Sequence, residues 1–223
     1  MKLSYRSVDL DESAIQALKK MPVDIFTGNY LGETKEGALI LVIDVRNFST
    51  FLRENDENTV FALIKEFTSN FLSCVNQLGY NCSYYKLEGD GAIVIWDQAD
   101  ESCLNAAVDV FSEFAVFSEE ALFKDCPSLG VAGALVLERV FKYEISAEAS
   151  GLMYRDYVGY GINLACRLQN LAGKNELAIN HRLIQEKQVP FTEKTADDVN
   201  HRLSILKGLR DIDKDKVYMY KWK

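Results

Sequence analysis

The sequence predicts an α+β fold in which one mostly antiparallel sheet carries helices on one face. Three observations support that expectation. Ala38 to Val45 is a continuous apolar run without alternation, as in a central strand covered on both sides. Two long stretches, one between Asp56 and Gly79 and one from about Asp100 to Phe123, keep their apolar residues at helical spacing. Between them, Tyr84 to Trp96 reads as two β-prone runs around Gly89-Asp90-Gly91. That is a hairpin signal, because the favoured tight turns need backbone angles that Gly and Asp tolerate.

The chain has 223 residues, enough for one domain with a substantial core and an appendage. Residues 1–36 are the expected appendage and residues 37–223 the domain. A formal charge of −8 argues against a surface that coats nucleic acid, which would be basic, but leaves room for a local anion pocket. The five cysteines (Cys74, Cys82, Cys103, Cys126 and Cys166) are odd in number and form no Cys-x-x-Cys pair. They read as reduced thiols of a cytoplasmic protein. His181 and His201 are the only histidines, which leaves zinc and catalytic-thiol chemistry without support. No apolar run reaches the length of a membrane span, and the N-terminus lacks the charged-then-apolar layout of a signal peptide.

In chain order, Asp9 to Ser13 opens a helix that closes near Lys19-Lys20, with charges suited to the helix dipole at both ends. Pro22 stops it, and Gly28, Gly32 and Gly37 mark a loose connection to the strand at 38–45. This segment packs on the domain, extends a dimer contact or docks to a partner, the first being favoured. The first long helix takes its N-cap from Asn55-Asp56, turns Phe67, Phe71 and Val75 inward, and ends at Gly79. After the hairpin at 82–97, the second long helix turns Leu104, Val108, Phe111 and Phe114 inward. Ser128 to Glu138 is a strand whose small residues permit close backbone approach. Val140 to Ile145 is a short continuation and 146–156 a loop. Gly159 to Leu171 is a helix and Glu176 to Ile179 a strand. A polar helix or loop containing Pro190 then leads to closing strands near 202–206 and 216–222.

Asp44 closes the apolar run, and Asp90 sits in the hairpin turn with Lys86 shortly before it. An acid that ends a strand ordinarily just faces water. If the two strands are neighbours, however, two carboxylates converge at one sheet edge, an arrangement suited to a hard divalent cation.

Four stretches, in order, resemble motifs of the class III nucleotidyl cyclase catalytic domain. Asp44-Val-Arg-Asn-Phe-Ser is similar to its opening signature of aspartate, aliphatic, any residue, Gly, Phe, Thr. Lys86-Leu-Glu-Gly-Asp90 resembles its Lys-x-x-Gly-Asp hairpin. Asp156 to Arg167 resembles a third motif in which Asp precedes Asn163 by seven residues and Arg follows by four. Leu206-Lys207-Gly208 resembles a late Leu-Lys-Gly element. Asn47 departs from the family Gly, although Asn tolerates a left-handed turn, and Ser49 replaces Thr while keeping the hydroxyl.

The resemblance implies a ferredoxin-like βαββαβ core that pairs head to tail into a homodimer with active sites at the subunit interface. Asp44 and Asp90, helped by the Val45 carbonyl, would hold two Mg²⁺ or Mn²⁺ ions. Across the interface, Asn163 would orient the nucleotide and Arg167 would stabilise charge on the α-phosphoryl group. Lys207 would grip the terminal phosphates, and the backbone N–H groups of Asn47, Phe48 and Ser49 suit a phosphate cradle. The implied reaction is attack of the ribose 3′-oxygen on the α-phosphorus with loss of pyrophosphate. In that reaction one ion would lower the pKa of the attacking hydroxyl, and both would neutralise phosphate charge. The product would be a second messenger for a cyclic-nucleotide-binding effector.

Under the same resemblance Lys86 and Asp156 face the base. Lys86 only donates and ionised Asp156 only accepts, which complements the N1 acceptor and amino donor of adenine. Guanine has the reverse polarity and would leave both side chains unpaired. ATP is therefore favoured. Cytosine offers the same arrangement as adenine, so a pyrimidine (cytidylate or uridylate) cyclase of an antiphage system stays open, with uracil the poorer fit. The other class of reading is a non-catalytic nucleotide-binding homologue, against which the complete set of Asp44, Asp90, Asn163 and Arg167 stands.

Overall fold

Asp44 reaches its position at the end of a long strand, β1 (Asn29–Arg46), in the computed structural model, which describes residues 12, 13, 16, 29–147, 152–187 and 217–221. A short helix, α1 (Phe48–Glu54), and a long one, α2 (Glu57–Leu78), follow. Next come β2 (Tyr84–Glu88) and β3 (Gly91–Trp96), and then α3 (Glu101–Phe117). The second half comprises β4 (Gly130–Ala147), β5 (Leu152–Val158), α4 (Tyr160–Gln169), β6 (Glu176–Asn180), α5 (His181–Glu186) and β7 (Val217–Lys221).

Among the described residues the strands form one sheet in the order β2-β3-β1-β4-β6-β7, with β5 paired to β4. β1 pairs antiparallel with β3, β3 with β2, and β6 with β7, while β4 and β6 run parallel. The mostly antiparallel α+β architecture expected from the sequence is therefore present. The chain divides into two compact units. One comprises Thr34–Phe141 with Val158–Lys223, and the other Met1–Glu33 with Lys142–Tyr157.

The pleat of β1 sorts its residues between two faces. Leu39, Leu41, Ile43 and Val45 join a core with Phe67 and Phe71 of α2 and Phe111 and Phe114 of α3. Phe114 meets Phe67 and Phe71 edge-on, at centroid distances of 5.4 and 5.3 Å, a geometry worth about 1 kcal/mol per pair beyond burial. On the opposite face Ile40 meets α4, whose Gly161 lies so close that a methyl there would stand 2.8 Å from Ile40 Cδ1. The two long helices thus share one face, as expected, and α4 covers the other. This explains the unbroken apolar run: Ala38 to Ile43 are all buried.

Both long helices begin on the expected acids. Asp56 accepts from the N–H groups of Asn58 and Thr59 at 2.9 and 3.2 Å, and Asp100 from Cys103 N–H at 2.8 Å. Gly79 caps α2. At the end of β6 the buried Asn180 side chain accepts from Leu137 N–H and donates to Leu137 C=O, both at 3.1 Å. All five cysteines are free. No helix among the described residues is long and apolar enough to cross a membrane.

Three local expectations differ from the structure. Gly32 and Gly37, read as a loose connection, lie inside β1, because ladder pairing outweighs the weak strand preference of glycine. The expected loop at 146–156 is largely strand: β4 runs unbroken to Ala147, and β5 returns against it. The second long helix stops at Phe117, and Ser118–Leu122 winds as one π turn closed by Phe123 N–H on Ser118 C=O at 2.7 Å. The helix expected at 9–20 falls mostly outside the described residues, as do the strand expected at 202–206, Pro190 and Lys207.

Candidate active site

β1 and β3 deliver two carboxylates to one end of the sheet. Asp44 stands opposite Gly91 in the register, and Val45 N–H donates to Asp90 C=O at 3.2 Å. The turn carrying Asp90 is therefore tied to the end of β1. A methyl on Gly91 would lie 2.9 Å from Ile43 C=O and 3.7 Å from Asp44 Oδ1. Glycine lets the turn close, and Oδ1 is the oxygen that faces it.

The other oxygen is held. Arg46 Nη1 donates to Asp44 Oδ2 at 2.9 Å, since residues two apart in a strand share a face. Arg46 Nε donates to Ala172 C=O at 3.0 Å, and Nη2 donates to Gln169 C=O. Both carbonyls lie at or just past the C-terminus of α4, where the helix dipole favours a cation. Burial pushes the Asp44 carboxyl above its usual range, the Arg46 guanidinium opposes that, and the neighbouring Asp90 adds to it. The Gln169 amide acts with Arg46 to favour the ionised form. Burial also lowers the Arg46 pKa, against the pull of Asp44 and Asp90.

This donor chemistry fits a hard divalent cation: two carboxylates, one of them resisted in its ionisation by burial and a like charge, with the Val45 peptide between them. Among the described residues no group of three or more His, Cys, Asp or Glu side chains gathers. Water or a substrate would complete the coordination shell.

Asn47 adopts φ 64° and ψ 12°, the left-handed turn expected where a glycine was missing, and its side chain donates to Ser128 C=O at 2.7 Å. Phe48 is buried and Ser49 exposed in the first turn of α1. Lys86 lies on β2 opposite Ile93, with Nζ 2.9 Å from Glu88. On α4, Leu164, Ala165 and Leu168 face the core. Asn163 is exposed and Arg167 half-buried, one turn apart on the same face.

Asp156 belongs to the smaller unit, where it is buried. It accepts from Tyr154 O–H at 2.6 Å and Tyr157 N–H at 2.8 Å, and the first of these bonds pushes the Tyr154 phenol well above its usual range. Lys207 lies outside the described residues. Sequence reasoning passed over Arg46, whose signal was its i+2 spacing from Asp44. It also passed over Gln169 and Tyr154, for which no local signal exists.

No family model matches the chain, and no curated protein matches it. Solved structures do. The adenylyl cyclase CyaB from P. aeruginosa superposes with TM-score 0.64 at 16% identity, covering 86% of this chain and 95% of that one. The catalytic core of a rhodopsin-guanylyl cyclase with converted specificity, in complex with ATPalphaS, gives TM-score 0.66 at 14% identity, covering 85% and 97%. The guanylate cyclase domain of RhGC from Catenaria anguillulae, in complex with GTP, gives 0.64 at 12% identity, covering 84% and 95%. At these identities the likeness shows the fold, which is that of class III adenylyl and guanylyl cyclase catalytic domains.

Proposed function

We propose that the protein is a nucleotidyl cyclase that converts a nucleoside triphosphate, ATP before others, into the 3′,5′-cyclic nucleotide and pyrophosphate. The observation that carries this reading is the convergence of Asp44 and Asp90 at the joined ends of β1 and β3. The shared fold supports it. Mg²⁺ or Mn²⁺ held by Asp44, Asp90 and the Val45 carbonyl would supply activation of the ribose 3′-hydroxyl and neutralisation of phosphate charge.

The protein's own residues bind and orient the nucleotide. Backbone N–H groups of Asn47, Phe48 and Ser49, together with Lys207, hold phosphate oxygens. Asn163 positions the nucleotide, and Arg167 stabilises charge on the α-phosphoryl group, both acting across the interface of a head-to-tail homodimer. Lys86 donates to adenine N1, and Asp156 accepts from the amino group.

The test is incubation of purified protein with Mn²⁺ and each of the four ribonucleoside triphosphates, with Asp44→Ala as the blank and products identified by mass spectrometry. Cyclic AMP is expected. Cyclic CMP or UMP would keep the cyclase and overturn the ATP assignment, whereas no cyclic product from any triphosphate would overturn the activity itself.

A further inference from the structure

We infer that Arg46 is a positioning residue that sets the orientation of the Asp44 carboxylate, with Gln169 supporting it. The inference rests on the proposed cation-binding role of Asp44 and Asp90. An aspartate carboxylate turns broadly about its last bond, so its two oxygens are not assigned roles by the backbone alone. Here they are distinguished: Arg46 takes Oδ2, and Oδ1 faces the turn that carries Asp90.

Arg46 is itself fixed. Its planar fork makes three bonds to three different groups, two of them the carbonyls of Gln169 and Ala172 at the end of α4. The orientation of the carboxylate is thereby tied to the C-terminus of α4 and to the turn that follows it. A lysine, with a compact head on a flexible stem, does not reproduce a planar multidentate hold. The same guanidinium also links the strand that presents Asp44 to the helix that presents Asn163 and Arg167.

Gln169 supplies an independent observation. The residue is 4% exposed, and its Nε2 has no hydrogen-bond partner. A buried amide left without an acceptor is costly, and such groups are uncommon in folded proteins. The acid it favours in ionised form is Asp44. The main-chain carbonyl of the same residue accepts from Arg46, so Gln169 meets the group that holds Asp44.

Groups that orient a ligating side chain are worth about 10–100-fold in metal affinity. The test is Mn²⁺ titration of nucleotide-free protein, with free Mn²⁺ read by electron paramagnetic resonance and the metal-free melting temperature measured alongside. Asp44→Ala is expected to lose the site. Arg46→Ala should raise the Mn²⁺ Kd by about 10–100-fold, Arg46→Lys by less, and Gln169→Met by a smaller factor in the same direction. A purely structural arginine would lower the melting temperature without moving Kd. Unchanged or tighter Mn²⁺ binding in folded Arg46→Ala overturns the inference. If that variant does not fold, unchanged Kd in both Arg46→Lys and Gln169→Met overturns it. Wild-type protein without an Asp44-dependent Mn²⁺ site would sink the metal reading together with this one. A normal wild-type site unaffected by the Arg46 and Gln169 variants would sink this one alone.

Discussion

Asp44 keeps its proton to higher pH than an exposed aspartate, because burial and the neighbouring Asp90 oppose its charge more than Arg46 and Gln169 favour it. With the folded-state pKa above the unfolded one, its contribution to stability is full below about pH 4 and is lost as the pH rises through the folded value. A cation has the opposite preference, since it binds the ionised carboxylate. The rise in melting temperature produced by Mn²⁺ should therefore grow with pH from about 4 and level off once Asp44 is ionised in the folded protein. A rise independent of pH across that window would remove Asp44 from the ligand set. Asp44→Ala and Asp90→Ala should each lower kcat by more than about 100-fold, the upper end for groups that merely support a ligand, while circular dichroism shows the fold retained. Full turnover in either variant would reject the assignment.

At the scale of elements, α4 approaches the sheet closely at Gly161. A methyl at Gly161 would meet Glu138 Cβ at 3.0 Å and Arg139 C=O at 3.1 Å, besides Ile40. The backbone carbonyl cannot swing aside as a side-chain end can, so Gly161→Ala should cost about 1–3 kcal/mol in denaturant unfolding. Elements with local signals were legible in the sequence. The Gly89-Asp90-Gly91 turn announces its hairpin, Asp56 and Asp100 announce their helices, and the run at 38–45 announces a strand buried on both faces. β5 was not legible, because Met153-Tyr154-Arg155-Asp156 has no strand-like alternation and owes its strand form to pairing with β4. The start of β1 was missed for the same reason. In the site, the meeting of Asp44 and Asp90 was readable once β1 and β3 were taken as neighbours. The grip of Arg46 on α4 was not, because its partners lie more than a hundred residues away.

For the whole molecule, the proposed homodimer makes each active site a composite of two chains. Mixing Asp44→Ala with Arg167→Ala protein should then restore activity that neither variant shows alone, since a mixed dimer contains one site with every residue intact. Continued inactivity of a verified mixed dimer would place all the residues of a site on one chain. The sheet behind those residues has its own safeguard in Asn180. Its carboxamide meets Leu137 as one peptide group meets another, giving and receiving a hydrogen bond, so it adds a rung to the ladder beyond the last main-chain pair of β4 and β6. A slip of one residue would strand both ends of that amide in the core, where neither finds water. The side chain thus works as an alignment key between β4 and β6. Asn180→Asp, similar in shape but able only to accept when ionised, would set a carboxylate against the Leu137 carbonyl and remove the key without changing the size of its slot.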